Sequence, residues 1–136
     1  MTGCQLVSKS VNRPEGGLML IKQFQEILAW QKAHELVLMI YSITEGFPQK
    51  ETFGLTSQMR RCAVSIPSNI AEGFKRKHLN DSLHFYNISQ GSLEELKYQS
   101  LLAKDLCYIK ESAYLKLFDL LEEVGKTLHG WTKIQK

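Results

Sequence analysis

An all-α fold, an antiparallel up-down-up-down bundle of four helices, is what this sequence predicts, on three observations. Apolar residues recur at three and four residues from Gln25 almost to the C-terminus, the period of a helix with one buried face. No stretch alternates with the two-residue period of a strand. The periodic segments run about 20 residues each between short breaks, and four such helices pack most simply as antiparallel neighbours.

Each element has its own justification. In the first helix Ile27, Trp30, His34, Val37, Tyr41 and Thr44 form the expected buried face, and Gly46 with Phe47-Pro48 ends it. A second apolar stripe, Leu28, Leu36, Met39 and Ile43, runs beside it. The second helix is expected to start between Glu51 and Phe53 and to run to Gly73, burying Leu55, Met59, Cys62, Ile66 and Ile70. Pro67 lies in its body, where it removes a backbone donor and crowds the Ala63 carbonyl at a cost of roughly 3 kcal/mol unless local geometry relieves it. A kink there would aim the basic segment that follows, Lys75-Arg76-Lys77-His78. Asn80 is the expected N-cap of the third helix, with Asp81 favourably placed against the dipole. That helix continues to about Cys107 through Phe85, Ile88, Ser92, Leu96, Ala103 and Leu106. The fourth starts near Ser112 with a near-heptad seam of Tyr114, Phe118, Leu121, Gly125, Leu128 and Thr132. The bundle thus spans 24–136. Residues 1–23, punctuated by Gly3, Pro14, Gly16 and Gly17, read as a tail, and Met19 is a candidate translation start.

Composition narrows the function classes. At 136 residues, 43% hydrophobic and 23% charged, the chain has the balance of an ordinary globular domain large enough for a core without staples. No apolar run reaches the roughly 20 residues needed to span a bilayer. Cys4, Cys62 and Cys107 are odd in number and widely spaced, so a disulfide framework or zinc site is not expected and a reducing cytosol is the natural compartment. Catalytic signatures are missing too. A di-metal bundle needs Glu-x-x-His pairs on facing helices, whereas Asp81-Ser82-Leu83-His84 stands alone. His34-Glu35 begins a zinc-protease motif that Leu38 breaks. His34 on an apolar face reads as a hydrogen-bonded core or interface histidine. Neither catalytic residue, cofactor nor metal is expected, and the reading is of a protein that is not an enzyme.

Charge placement says more than the net +3. Between Phe47 and Asn80 lie six basic residues, Lys50, Arg60, Arg61, Lys75, Arg76 and Lys77, against Glu51 and Glu72. Arg61 and Lys75 stand about 20 Å apart along a helix, so they mark two ends of a basic stripe and not one compact patch. Arg60, Arg61, Lys75, Arg76 and Lys77 are therefore the candidate nucleic-acid contacts. Alongside, Gln58, Arg61, Ser65, Asn69 and Glu72 share one stripe of the second helix, opposite Met59, Ile66 and Ile70. Such residues can satisfy one another or contact RNA or another subunit.

Several motifs fall together in order: Trp30-Gln31-Lys32-Ala33, Phe47-Pro48, Gly54-Leu55 with Gln58 and Arg61, the run Ser65-Ile66-Pro67-Ser68-Asn69-Ile70-Ala71-Glu72-Gly73, and Gly91-Ser92-Leu93-Glu94-Glu95-Leu96. Over residues 24–132 the chain resembles the bacterial four-helix-bundle proteins encoded in intervening sequences of 23S rRNA genes, themselves distantly similar to accessory variability proteins of diversity-generating retroelements. The resemblance implies a homopentameric ring and association with nucleic acid through basic surfaces. The sequence departs from that family at His78, Ser82 and Ser89, and the change at His78 moves the expected cap to Asn80.

Two features of the residues themselves point to assembly. The second stripe on helix 1 makes it apolar over a wide arc, which places Leu36, Met39 and Ile43 at an oligomer interface. Gly54 and Gly91, read as lying inside helices, suggest close approach of another backbone. The expected protein is thus a non-enzymatic homo-oligomer that binds structured RNA or a nucleic-acid-processing protein. The alternative is an assembly or adaptor protein that binds another polypeptide, with the basic loop incidental.

Overall fold

A computed structural model describes residues 20–135. Four helices, α1 (Leu28–Thr44), α2 (Leu55–Phe74), α3 (Leu79–Asp105) and α4 (Glu111–Gln135), are preceded by 3₁₀ turns at Phe24–Glu26 and, between α1 and α2, Gln49–Glu51. Each helix packs on the two that adjoin it around the ring α1-α2-α3-α4, and the backbones of the diagonal pairs stay more than 8 Å apart, Cα to Cα, among the described residues. The chain is therefore an antiparallel four-helix bundle. The Met19 start and the tail up to that residue lie outside the described residues. Ile21 and Phe24 already pack on the core.

Helix α2 buries the expected face: Leu55, Met59, Cys62, Ile66 and Ile70 all lie inside. It runs as an unbroken α-helix through Pro67, which is itself buried. Helix α1 is rotated from expectation. Its buried face is Ala29, Ala33, Leu36, Ile40 and Thr44, and two alanines on that face let neighbouring helices come close. Trp30 and His34, stacked on each other at 5.1 Å, lie half-buried to one side of it. The second stripe is not one surface. Leu36 is 0% accessible, a core residue, so its expected place at an oligomer interface is corrected. Met39 and Ile43 are partly buried against the same core, and Leu28 is exposed.

The seam between α2 and α3 is built from small and polar groups. The ring of Tyr86 lies so close to Gly73 that a β-carbon there would sit 2.5 Å from Tyr86 Cε1 and 3.0 Å from the Ser82 carbonyl oxygen. Ser89, fully buried, donates to the Ile66 carbonyl at 2.8 Å. The Ser65 and Ser92 hydroxyls meet at 2.9 Å, and the Cys62 thiol donates to the Ser92 carbonyl at 2.9 Å. The buried face of α3 is accordingly Tyr86, Ser89, Leu93, Leu96, Gln99, Ser100 and Ala103. Phe85 is half-buried, and Ile88 and Leu106 are exposed, against expectation. On α4, Leu121, Leu128 and Thr132 face inward as expected, joined by Leu117, Leu120 and Val124.

The loops at one end of the bundle lock together. Cys107 adopts φ 64°, and the amide of Tyr108 reaches back to the Ala103 carbonyl at 2.9 Å, the hydrogen-bond pattern of a left-handed helix cap in which glycine is the usual residue. Tyr108 packs on Phe47 and donates its hydroxyl to Glu51 at 2.9 Å. The same carboxylate accepts the Leu55 amide at 3.0 Å, capping α2. Gly54 lies before α2, not inside it, and a β-carbon there would fall 2.7 Å from Glu51 Oε1. Its role is to admit that carboxylate, not a second backbone. The Leu55 amide first, then the Tyr108 hydroxyl, hold the Glu51 carboxyl below its usual pKa.

Candidate nucleic-acid interface

The five basic candidates share one helix and its exit, but the structure gives them different work. Arg60 turns toward α1. Its Nε donates to Thr44 Oγ1 at 2.8 Å and an Nη to the Tyr41 carbonyl at 3.3 Å, and the guanidinium lies 4.5 Å over the Tyr41 ring. Both partners belong to the last turn of α1, where cations are favoured. Arg60 is thus a structural cation that fastens α1 to α2. Arg61, one residue on and about 100° round the helix, is exposed and makes none of the ion pairs among the described residues. It borders an open groove of ≈ 570 Å³ together with Tyr41, Val64 and Phe53, the last 95% exposed.

Lys75, Arg76 and Lys77 occupy the tight turn from α2 into α3, all exposed. Lys75 lies 5.9 Å over the Phe74 ring. Arg76 pairs with Glu72 and stacks 4.8 Å over Phe85, whose edge meets His84 at 5.5 Å. His78 takes the N-cap position of α3 without a side-chain hydrogen bond, while its carbonyl accepts the Asp81 and Ser82 amides at 3.1 Å. Asn80 is already inside α3, which corrects the expected cap: the turn is too short to leave it outside.

The polar stripe of α2 divides in the same way. Asn69 donates to the Ser65 carbonyl at 2.8 Å and to its hydroxyl at 3.0 Å, so this pair, with Ser92, is satisfied within the α2–α3 seam. Gln58 and Arg61 stay exposed at one end. Glu72 at the other end binds Arg76, not Arg61, which lies eleven residues away on the helix. The aromatic component of the site, Phe74 and Phe85, is one that sequence reasoning missed. Phe85 follows Arg76 by nine residues and is brought to it only by the reversal of the chain.

Burial first, then the neighbouring Glu95 carboxylate, pushes the Cys62 thiol up to about 12, so it stays protonated at neutral pH. Among the described residues no three His, Cys, Asp or Glu side chains cluster to hold a metal ion. No helix among them is long and apolar enough to cross a membrane.

A family model described as 23S rRNA-intervening sequence protein matches residues 25–130. The fold is similar to the 1.70 Å crystal structure of a protein of unknown function from the S23 ribosomal protein family of Bacteroides thetaiotaomicron VPI-5482. The TM-score is 0.70 at 23% identity, over 78% of this chain and 99% of that one. No curated protein matches.

Proposed function

Because this chain belongs to the 23S rRNA-intervening sequence protein family, we propose that it is a non-enzymatic protein that binds RNA through the turn between α2 and α3. The observation that carries this reading is the run of three exposed cations, Lys75, Arg76 and Lys77, presented at the end of a closely packed helix pair. Long cations at a helix exit reach phosphates without strain, and neutralising phosphates releases counterions. Arg61 extends the cationic surface along α2, and Arg60 falls outside it.

We propose further that the protein acts as a homo-oligomer, with a pentameric ring as the form that the family resemblance leads one to expect. Supporting this are apolar side chains left exposed in the last turns of α3 and the first turns of α4: Tyr98 (61% accessible), Leu101, Leu106, Leu115 and Phe118. A ring repeats the cationic turn in every subunit, and linked sites raise avidity without new contacts.

The test is RNA binding across a salt series. Lys75→Ala with Lys77→Ala should weaken binding to all RNA sequences about equally. It should also flatten the dependence of log affinity on log salt by about 1.4 to 1.8, the loss expected for two phosphate contacts. Absence of any affinity for structured RNA at about 50 mM salt, where phosphate contacts are strong, would overturn the proposal in favour of a protein-binding adaptor.

A further inference from the structure

Arg76 differs from the two lysines beside it. Its guanidinium is engaged at an edge by the Glu72 carboxylate and on one face by the Phe85 ring 4.8 Å away, yet 44% of the side chain remains accessible. A guanidinium fixed in this way has fewer free N–H groups with which to grip a phosphate. It keeps its charge and a partly accessible flat face. We propose that this face is a stacking platform for an unpaired nucleobase, so that the turn selects single-stranded nucleotides (loops, bulges and ends) over the interior of a duplex. The inference rests on the RNA-binding reading and deepens it.

The chemistry follows from the parts. Arginine planes and aromatic rings are the surfaces on which splayed bases stack, and a ring beneath the guanidinium holds its plane through cation–π attraction. The carboxylate fixes rotation about the remaining axis, which lowers the ordering cost of binding. Lys75 and Lys77 flank Arg76 in sequence and supply the phosphate contacts on either side of the stacked base. Paired bases inside a duplex are already stacked and offer the turn only phosphates. Lysine at position 76 would keep the charge and lose the plane.

Base-containing and abasic strands of equal length separate the two kinds of contact, because the abasic strand keeps every phosphate. The full chain is titrated at fixed salt with a uridine pentamer, with a thymidine pentamer, and with an abasic pentamer in each sugar series. Wild type should bind the base-containing strand about tenfold tighter, within the range that one base–side-chain stack supplies. In Arg76→Lys that ratio should fall to about one, while the salt slope and the affinity for a blunt duplex hold. A preference confined to the ribose series identifies RNA as the ligand, and equal preference in both identifies single strands of either sugar. Equal wild-type affinity for base-containing and abasic strands overturns the stacking proposal and leaves phosphate binding standing. Absence of binding to all strands and to duplex overturns both. The wild-type comparison needs no variant, so the proposal is decided even if Arg76→Lys fails to fold.

Discussion

Replacing Gly73 by alanine adds one methyl group where the structure has no room for it. The new carbon would lie 2.5 Å from Cε1 and 2.9 Å from Cδ1 of Tyr86, and 3.0 Å from the Ser82 carbonyl oxygen. Carbon atoms prefer separations of about 3.5–4.0 Å, so the shortfall is about 1 Å. Tyr86 has little freedom to swing aside, being 1% accessible and set edge-on to Trp131. The end of α2 must therefore lift from α3. Overpacking of this kind costs about 1–3 kcal/mol, offset by at most about 1 kcal/mol of improved helix propensity, for a net loss between about 0 and about 3 kcal/mol, centred on about 1–2 kcal/mol. Gly91 is the internal comparator. It stands on the outer surface of α3 with nothing within 4 Å of the place an added methyl carbon would take, so Gly91→Ala should gain up to about 1 kcal/mol. Urea unfolding followed by far-ultraviolet circular dichroism, at one protein concentration to hold any assembly constant, should therefore place the variants on opposite sides of wild type. Gly73→Ala at or above the wild-type midpoint would refute the close α2–α3 approach. Because the basic turn begins two residues later, the same variant should also weaken RNA binding.

Arg60→Ala should lower stability by about 1–2 kcal/mol, since it removes two charge-assisted hydrogen bonds and a cation–π contact. The salt slope of RNA binding should not move; a flattening like that of the lysine pair would return Arg60 to the interface. The pH dependence of folding should carry the signature of Glu51. Its folded pKa lies below the ordinary value of 4.5, so its contribution is present above that value and is lost as pH falls through the folded pKa. Glu51→Gln should make stability fall less steeply on acidification than in wild type, and parallel curves as pH falls from neutrality through and below the ordinary carboxylate range would contradict the capping role.

What the sequence made legible depended on which physical term positioned each residue. The inward face of α2 was readable because large apolar residues mark it at regular spacing, Leu55 to Ile70. The face of α1 was misread because alanines mark it: Ala29 and Ala33 carry little hydrophobic weight, and the half-buried Trp30 and Val37 outweigh them. On α3 the buried residues include Ser89, Gln99 and Ser100, which apolar periodicity cannot detect. The burial of Ser89 is matched by its hydrogen bond to the Ile66 carbonyl. The candidate site failed and succeeded on the same ground. Arg60 and Arg61 are adjacent and chemically identical, and a turn of about 100° separates a clamp on α1 from an exposed cation. Phe85 had no visible link to Arg76 until the chain reversal was known.

The tight packing of α2 on α3 bears on why the turn, and not some other cationic surface, is suited to recognition. Two other cations of the bundle, Lys97 and Lys32, are occupied in joining helices. Lys97 bridges Glu94 on its own helix and Glu122 on α4, and Lys32 bridges Glu35 and Glu123 in the same manner. Such exposed pairs add little stability, but they set negative charge beside each lysine and reduce its value to a phosphate. At the α2–α3 turn the only such pairing is that of Glu72 with Arg76, among the described residues, and it orients the guanidinium against Phe85. Behind it, the contact of Gly73 with Tyr86, the Ser89–Ile66 hydrogen bond and the Ser65–Ser92 pair hold both helices in one register. A turn of four residues between helices so fixed has few conformations to lose on binding, and ordering cost is what separates a preorganised cationic surface from a merely charged one.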